Sequence, residues 1–368
     1  MWIIIYSGLF AISFLFSLIL TPLFRSIALK FNILDIPSER KVHISPKPLL
    51  GGLALFFSLI LTIVIGIVIL RFFWNSPGLK LLMPQSIIEI IPPLQRVISK
   101  ILPIILGGTL VMIIGLFDDI KGMNAYVKLF STSVIGILMV SWGVRITLFM
   151  PNTFFGGLLT VLWFVLLMNS FNLMDNMDGL ACGVALVATL IFAGITSLQY
   201  QLFTSSILVI FAGVLAGFLI FNWYPSSMFM GDAGSMWLGF MLATLTIMST
   251  FYSKGNPTLL PVVMPLLILG VPIFDTVSVV LIRLSRKKPL FVGDKNHFSH
   301  RLVQLGMTQP QAVAFIYLVT FCIGINATLL FAVGKLGATV ILLQAVVIFI
   351  IIALLEHIGR KSIGSDSS

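Results

Sequence analysis

The segment Asn169 to Leu180, which reads NSFNLMDNMDGL, places two carboxylates and three carboxamides between two apolar runs. At about 100° per residue, a helix would carry four of these polar residues on one face: Asn169, Asn172, Asp175 and Asn176. Carboxylates at the edge of a bilayer are costly unless they serve a function. The alternative is a solvated loop with helix caps, which the periodic spacing disfavours, so the segment is predicted to belong to a functional site.

Two further acidic segments stand at the ends of apolar runs. Asp118 and Asp119, in GLFDDIKG, form an adjacent pair of the kind that holds a divalent cation or acts as a base beside phosphates. Neighbouring side chains point about 100° apart on a helix, so the pair need not share one ion. Asp232, in MFMGDAGS, lies between glycines that let a ligand approach the backbone, and Phe229 is placed to stack on a nucleobase. A polar helix end is the alternative for both segments, although a carboxylate at a helix C-terminus opposes the dipole.

Basic residues are concentrated in two other loops. The first, DIPSERKVHISPKPLLGG, suits a phosphate or pyrophosphate, with ordinary anchoring at the cytoplasmic face as the alternative. The second ends in DKNHFSHRL, where His297 and His300 would share a helix face with Arg301. Because no cysteine or third spaced ligand follows, phosphate neutralisation is favoured over zinc.

The composition is that of an integral membrane protein: of 368 residues, 59% are hydrophobic and only 9% are charged. A soluble surface needs roughly a quarter of its residues charged. The apolar runs are too long for the alternating strands of an outer-membrane barrel. The net charge of +10 fits anionic headgroups and phosphorylated substrates, whereas no soluble basic domain is present for nucleic acid. Both cysteines lie in apolar runs, so no disulfide framework is expected.

The expected fold is all-α, a polytopic integral membrane helical bundle of about eleven transmembrane helices without a cleavable signal peptide. The predicted spans are about 2–24, 50–70, 101–117, 126–142, 153–170, 179–197, 204–222, 234–252, 258–282, 310–332 and 338–357. Pro272 is expected to break the ninth span and turn Asp275 toward the site. We predict one transmembrane catalytic domain over 1–358 and a short polar cytoplasmic tail over 359–368.

The distribution of charge indicates the orientation of the bundle. With the N-terminus outside, most of the 22 lysines and arginines fall on the cytoplasmic side, in accord with the positive-inside rule. Of the 12 acidic residues, only Glu89 falls on the outer side. The C-terminus and the active-site cleft are therefore predicted to be cytoplasmic.

Taken together, these segments resemble the polyprenyl-phosphate N-acetylhexosamine-1-phosphate transferases, membrane enzymes that start O-antigen, teichoic acid and related glycans. The matching stretches occur in the family's order across about residues 35–302: PSERKVHISPKPLLGG, GLFDDIKG, NSFNLMDNMDGLACG, NWYPSSMFMGDAGS, GVPIFDT and DKNHFSHRL. The resemblance implies that undecaprenyl phosphate attacks the β-phosphorus of a UDP-N-acetylhexosamine, releasing UMP, at the cytoplasmic face of the bacterial inner membrane. The implied cofactor is Mg²⁺, for which Mn²⁺ can substitute.

The resemblance also implies a role for each matching residue. The metal would be held by Asp232 and Asn172. Asp118 would be the base or would orient the lipid phosphate, with Asp119 in support, and Asp178 would tune the metal site. Three residues of the last motif would bind phosphate or sugar: His297, His300 and Arg301. Substrate contacts are implied for seven more residues, at the uridine or the phosphates: Lys41, His43, Lys47, Asp175, Asn176, Asn222 and Phe229.

Two departures from the family pattern bear on the donor. Asn176 stands where the branch that uses UDP-MurNAc-pentapeptide has glycine, and Ser299 stands where many members have another histidine. Both favour a UDP-GlcNAc-like donor over the peptidoglycan precursor. A cation-coupled transporter is the alternative of another class, but it would need repeated halves and polar groups near the bilayer midplane, where only Asp275 intrudes. The sequence leaves open the sugar, the glycan pathway, the lipid length and whether a homodimer forms.

Overall fold

The structure, a computed structural model, describes residues 2–37, 45–76, 78, 94–147, 153–252, 257–287, 289 and 297–365. The described helices are α1 (Trp2–Lys30), α2 (Gly51–Asn75), α3 (Leu94–Lys121), α4 (Ala125–Ser141), α5 (Thr153–Met174), α6 (Leu180–Leu198), α7 (Leu202–Asn222), α8 (Gly231–Met248), α9 (Met264–Ile268), α10 (Gly270–Ser285), α11 (Phe298–Gln304), α12 (Gln309–Thr328) and α13 (Lys335–Ser365). Two short 3₁₀ helices, Leu260–Val263 and Leu329–Phe331, and the strands β1 (Leu34–Asp35) and β2 (Lys47–Pro48) complete the described elements.

The helices confirm the prediction of a polytopic all-α membrane protein. Eight described helices are long and apolar enough to cross a membrane, and the bent pair of α9 and α10 makes a ninth if it counts as one span. The two other predicted spans are helical but do not meet the same test. Of these, α4 is apolar with only 17 residues, and α8 carries Asp232 in its first turn.

Helix α8 lies at the centre of the bundle and packs against α2, α3, α5 and α6. Every residue from Ala233 to Thr246 is buried. Small residues permit the close approach: a Cβ atom on Gly115 of α3 would lie 2.3 Å from the Cα atom of Ala233, and one on Gly52 of α2 would lie 2.4 Å from the nitrogen of Gly234. Because such contacts exclude any larger side chain, these glycines fix α2 and α3 against the first turn of α8.

The outermost helices show the opposite pattern of burial. In their most apolar windows, α1 is 11% buried and α13 is 17% buried, against 72% for α6 and 67% for α7. Large apolar side chains such as Ile3, Ile19 and Leu343 are exposed on α1 and α13. Lipid tails are as apolar as these side chains, so an exposed apolar face carries no penalty within a bilayer.

The ninth predicted span is broken, but not at the position expected from its proline. The bend of 68° lies at Leu269, between α9 and α10. Pro272 lies instead in the first turn of α10, where a proline costs no intrahelical hydrogen bond. The prediction that Pro272 breaks the helix is therefore wrong by three residues, and Asp275 lies inside the second half of the pair.

A short antiparallel pairing holds the base of the first basic loop. Leu34 pairs with Pro48, and Asp35 pairs with Lys47. The segment between the strands includes Lys41 and His43, both of which lie outside the described residues.

Candidate active site

The centre of the site is an ammonium group between two carboxylates. Lys128 Nζ, from α4, lies 2.7 Å from Asp118 Oδ2 of α3 and 2.8 Å from Asp232 Oδ2 of α8. The Asp118 side chain is buried, whereas the Asp232 side chain is 38% exposed. We call Asp118, Asp119, Asn172 and Asp232, together with Lys128, the acidic cluster. It joins four helices at one end of the bundle and is open on the side of Asp232.

Asp119 turns away from Asp118 and caps the central helix. Its carboxylate accepts hydrogen bonds from the backbone N–H groups of Asp232, at 2.6 Å, and of Ala233, at 3.1 Å. Gly231 precedes them at a φ of +68°, and a Cβ atom there would lie 2.5 Å from Asp119 Oδ2. Only glycine suits both the left-handed backbone and the short distance. Asp119 therefore fixes the backbone that carries Asp232.

The two residues expected to hold a metal, Asn172 and Asp232, lie in direct contact. Asn172 Nδ2 donates to Asp232 Oδ1 at 2.7 Å and to Ser235 Oγ at 2.9 Å. Among the described residues, no group of three His, Cys, Asp or Glu side chains forms a metal cage. Mg²⁺ commonly takes one or two protein carboxylates together with substrate phosphates, so the hard oxygen donors at the open side of Asp232 fit that ion.

Asp175 and Asp178 lie in the turn that joins α5 to α6. Burial raises the pKa of Asp175 well above its usual range, and the nearby carboxylates of Asp232, Asp119 and Asp178 raise it further. Asp178 Oδ2 accepts a hydrogen bond from the Ser226 N–H at 2.9 Å. In the structure, Asp178 therefore ties this turn to the loop before α8.

That loop also contacts the first basic loop. Lys47 Nζ donates to the Ser226 carbonyl at 2.5 Å, and the backbone of Phe229 bonds to Pro48 at 2.9 Å and to Gly51 at 3.0 Å. Asn222 Nδ2 donates to the Met228 carbonyl at 3.0 Å, and within the described part of the chain its buried Oδ1 has no hydrogen-bond partner. The structure thus brings together the predicted substrate residues Lys47, Asn222 and Phe229.

The described residues of the last motif lie in a short helical segment, residues 297–304, which we call the histidine helix. His297 Nδ1 lies 2.9 Å from Asp275 Oδ2, and the Phe298 N–H donates to Asp275 Oδ1 at 2.6 Å. Asp275 therefore anchors the start of this helix and meets a histidine rather than open solvent. The half-buried His300 follows, with its ring centre 6.4 Å from that of His297.

Arg301 lies on a buried side of the histidine helix. Its Nε is 2.9 Å from Glu356 Oε2 of α13, and its terminal nitrogens donate to Ser278 Oγ at 3.1 and 3.0 Å. The side chain is only 2% exposed. These contacts join α10, α11 and α13, and they place the guanidinium in the protein interior rather than in an open phosphate site.

The two residues that depart from the family pattern contact each other. Ser299 Oγ donates to Asn176 Oδ1 at 2.6 Å. This bond links the histidine helix to the turn that carries Asp175 and Asp178.

The acidic cluster lies within a segment of the chain that matches a known protein family. The family described as glycosyl transferase family 4 matches residues 101–250, a range that contains every member of the acidic cluster. A protein from Bacillus subtilis (strain 168) named "Probable undecaprenyl-phosphate N-acetylglucosaminyl 1-phosphate transferase" is 32% identical over 95% of this chain and 90% of the relative. The chain belongs to glycosyl transferase family 4.

Two other relatives of this family 4 protein have matches of similar extent. "Decaprenyl-phosphate N-acetylglucosaminephosphotransferase" from Mycolicibacterium smegmatis is 30% identical over 93% of this chain and 86% of the relative. "Undecaprenyl-phosphate alpha-N-acetylglucosaminyl 1-phosphate transferase" from Yersinia pestis is 25% identical over 91% and 83%. The similarity therefore includes both the acidic cluster and the histidine helix.

Lys128 is the member of the family 4 acidic cluster that the sequence motifs do not indicate. It follows GLFDDIKG, at the start of an apolar run, where a lysine reads as the end of a span. Its signal is the cost of a cation among apolar residues, which implies an acidic partner. In the structure one such partner is Asp232, which is 104 residues away along the chain.

Proposed function

We propose that this family 4 enzyme transfers N-acetylglucosamine 1-phosphate from UDP-N-acetylglucosamine to undecaprenyl phosphate. The products are UMP and the lipid-linked sugar pyrophosphate that starts a cell-envelope polysaccharide. The observation that carries the proposal is the acidic cluster, in which Lys128 bridges Asp118 and Asp232 at one end of a membrane bundle. The relatives' names support the transferred N-acetylglucosamine 1-phosphate group and a polyprenyl-phosphate acceptor, and none of the three names a peptidoglycan precursor or a transported ion.

The reaction replaces one phosphoanhydride bond by another. An oxygen of the lipid phosphate attacks the β-phosphorus of the donor, and the bond from that phosphorus to the bridging oxygen breaks. UMP leaves with the electron pair of that bond. The attacking phosphate is already anionic, so its alignment and charge compensation matter more than removal of a proton.

The residues of the acidic cluster have different roles in this transfer. Lys128 offers a positive charge to a phosphate that approaches from the open side of Asp232. Asp118 orients the Lys128 ammonium and, through it, the lipid phosphate. Asp119 holds the backbone of Asp232 by two N–H hydrogen bonds. The turn at Asp175 and the loop at Asn222 and Phe229 then form the side that receives the nucleotide.

We propose that Mg²⁺, or Mn²⁺ in its place, is held by Asp232 and Asn172. The bound ion would neutralise charge on the pyrophosphate of the donor. The excess of carboxylates supports the proposal: two anionic substrates could not otherwise approach Asp118, Asp119 and Asp232 without strong repulsion.

We propose the cytoplasmic face of the bacterial inner membrane as the location of the site. The concentration of lysine and arginine in the loops at the site end supports this orientation. A nucleotide-sugar donor is also a cytoplasmic metabolite, and the long lipid acceptor requires a site at the membrane surface.

The test is UMP release by the purified protein with undecaprenyl phosphate, Mg²⁺ and a panel of UDP-sugars. We expect release with UDP-N-acetylglucosamine that stops on chelation and returns with Mg²⁺ or Mn²⁺. Lys335→Met is the matched control for removal of the Lys128 charge by Lys128→Met. The exposed Lys335 begins α13 at the end opposite Glu356, about 30 Å away at 1.5 Å per residue. Release from no UDP-sugar by correctly folded protein would contradict the proposal.

A further inference from the structure

Ser299 makes the contact that joins the histidine helix to the turn after α5. Its side chain is buried, at 1% exposure, and its hydroxyl donates to Asn176 Oδ1 at 2.6 Å. Asn176 Nδ2 in turn donates to the Leu173 carbonyl at 3.1 Å. Since the amide nitrogen is used there, the oxygen is the end that faces the hydroxyl, and the orientation of the Asn176 amide is fixed at both ends.

The position of Ser299, directly before His300 in the histidine helix, lets this contact fix the backbone of His300. Consecutive side chains on a helix point about 100° apart, so His300 projects between the direction of Ser299 and that of Arg301. Ser299 is held by Asn176, and Arg301 is held by Ser278 and Glu356. The backbone of His300 is thus fixed from two sides, by contacts to two different parts of the bundle.

The other end of the contact lies among residues that the proposed function assigns to the donor. Asn176 follows Asp175 directly, and Asp178 of the same turn bonds to Ser226 in the loop that carries Phe229. A movement of Asn176 therefore displaces the turn relative to the histidine helix. Its helical part, α11, has only seven residues, so it contributes little rigidity of its own and depends on such contacts for its position.

We propose that Ser299 is a positioning residue that acts through Asn176 and sets the distance between His300 and the Asp175 turn, and thereby the affinity for the UDP-sugar. The proposal rests on the proposed function. It predicts that the hydroxyl of Ser299 and the amide of Asn176 act as one unit, and that their loss affects the donor rather than the lipid.

The test is a double-mutant cycle in steady-state kinetics with Ser299→Ala, Asn176→Ala and both together. We expect each single variant to raise KM for the UDP-sugar about tenfold, since each leaves the partner's polar group unsatisfied. The double variant should also be about tenfold, because the second substitution removes a group that has already lost its partner. KM for the polyprenyl phosphate should stay within about twofold of wild type. Ser299→Thr, which keeps the hydroxyl, should recover most of the donor affinity.

Two results would overturn the proposal. One is an additive cycle, in which the double variant loses about a hundredfold. The other is a lower melting temperature and a smaller active fraction with KM for the donor unchanged, which would make the contact merely structural. A cycle of Asn176→Ala with Ser278→Ala is the matched control, and it should be additive because Ser278 contacts Arg301 on the other side.

The design separates this proposal from the proposed function. Wild-type UMP release is measured first, and its absence with every UDP-sugar would contradict the function alone. UDP binding by calorimetry, with the same four proteins, then supplies the cycle without turnover. Weaker, non-additive UDP binding in the variants would support the role of Ser299, and unchanged UDP affinity would overturn it.

Discussion

The acidic cluster and the histidine helix are both built from charged side chains, but their charges balance differently. In the acidic cluster the carboxylates outnumber the ammonium of Lys128, and one of them, Asp232, is 38% exposed. At the histidine helix each described pair joins one acid to one base and is buried: His297 contacts Asp275 at 2.9 Å, and Arg301 forms an ion pair with Glu356.

This difference in charge balance indicates different roles, a chemical one for the acidic cluster and a positioning one for the buried pairs of the histidine helix. Excess negative charge beside an opening attracts a cation, and repulsion among the carboxylates lowers stability when no cation is bound. A matched buried pair attracts no further ion, but removal of either partner leaves an uncompensated charge in the interior. We therefore expect substitutions in the acidic cluster to reduce turnover more than stability, and substitutions in the buried acid–base pairs of the histidine helix to reduce stability more than turnover.

Asp232→Asn should have the largest effect on turnover. The substitution keeps the shape and the contact with Asn172 but removes the charge at the open side of the cluster. We expect UMP release to fall about 10³-fold, with little change in melting temperature, because the loss of repulsion among the carboxylates is offset by the loss of the ion pair with Lys128 at 2.8 Å. Initial rates and thermal unfolding of the same preparation measure both. A rate within tenfold of wild type would remove Asp232 from the reaction.

Lys128→Met should come next, and it sharpens the comparison because it makes the charge imbalance worse. We expect a loss of about 10²-fold in rate and a lower melting temperature, since Asp118 and Asp232 both lose their compensating charge. Lys128→Arg keeps the positive charge and should retain part of the activity and most of the stability. Equal rates for the methionine and arginine variants would show that the charge is not used.

Sequence patterns predict much of this molecule because membrane helices and chemical motifs are local. Ten of the eleven predicted spans each overlap one described α-helix, and the ninth overlaps the bent pair α9 and α10, since a long apolar run indicates a span. Asp118, Asn172 and Asp232 were also identified from their local segments, and the structure brings them to one end of the bundle.

The contacts between segments could not be read from such patterns. Lys128 with Asp232, Ser299 with Asn176 and Arg301 with Glu356 join residues far apart in sequence. A single chain carries no signal for which polar residues will meet, because helix packing decides it. The adjacent residues Asp118 and Asp119 show this limit of sequence-based prediction most clearly, since Asp118 contacts Lys128 whereas Asp119 caps α8.

Glu356→Ala tests the other half of the comparison. The substitution removes the carboxylate 2.9 Å from Arg301 Nε, in a place where both side chains are buried. We expect a loss of about 3 kcal/mol in the free energy of unfolding, measured by thermal or denaturant unfolding. Turnover per folded molecule should stay within about fivefold, because the histidine helix keeps its contacts at Asp275 and Asn176. Unchanged stability with a large loss of turnover would place Arg301 among the reacting groups.

Asp175→Asn should have the smallest effect, and one that depends on pH. The pKa of Asp175 is raised in the folded protein, first by burial and then by Asp232, Asp119 and Asp178. Folding therefore favours its protonated form, and the wild type should lose stability as the pH rises from the ordinary carboxyl value, about 3.9, through the raised folded value. The asparagine variant cannot ionise and should escape this loss.

The gain from Asp175→Asn should accordingly grow with pH. Melting temperatures at pH 5 and pH 8, in chelator so that no metal offsets the repulsion, provide the comparison with wild type. Asp178→Asn is the matched control, because it removes a carboxylate from the same turn but keeps a side-chain oxygen that can accept from the Ser226 N–H. A difference between Asp175→Asn and wild type that stays constant from pH 5 to pH 8 would contradict this prediction, because it would mean that the pKa of Asp175 is not raised in the folded protein.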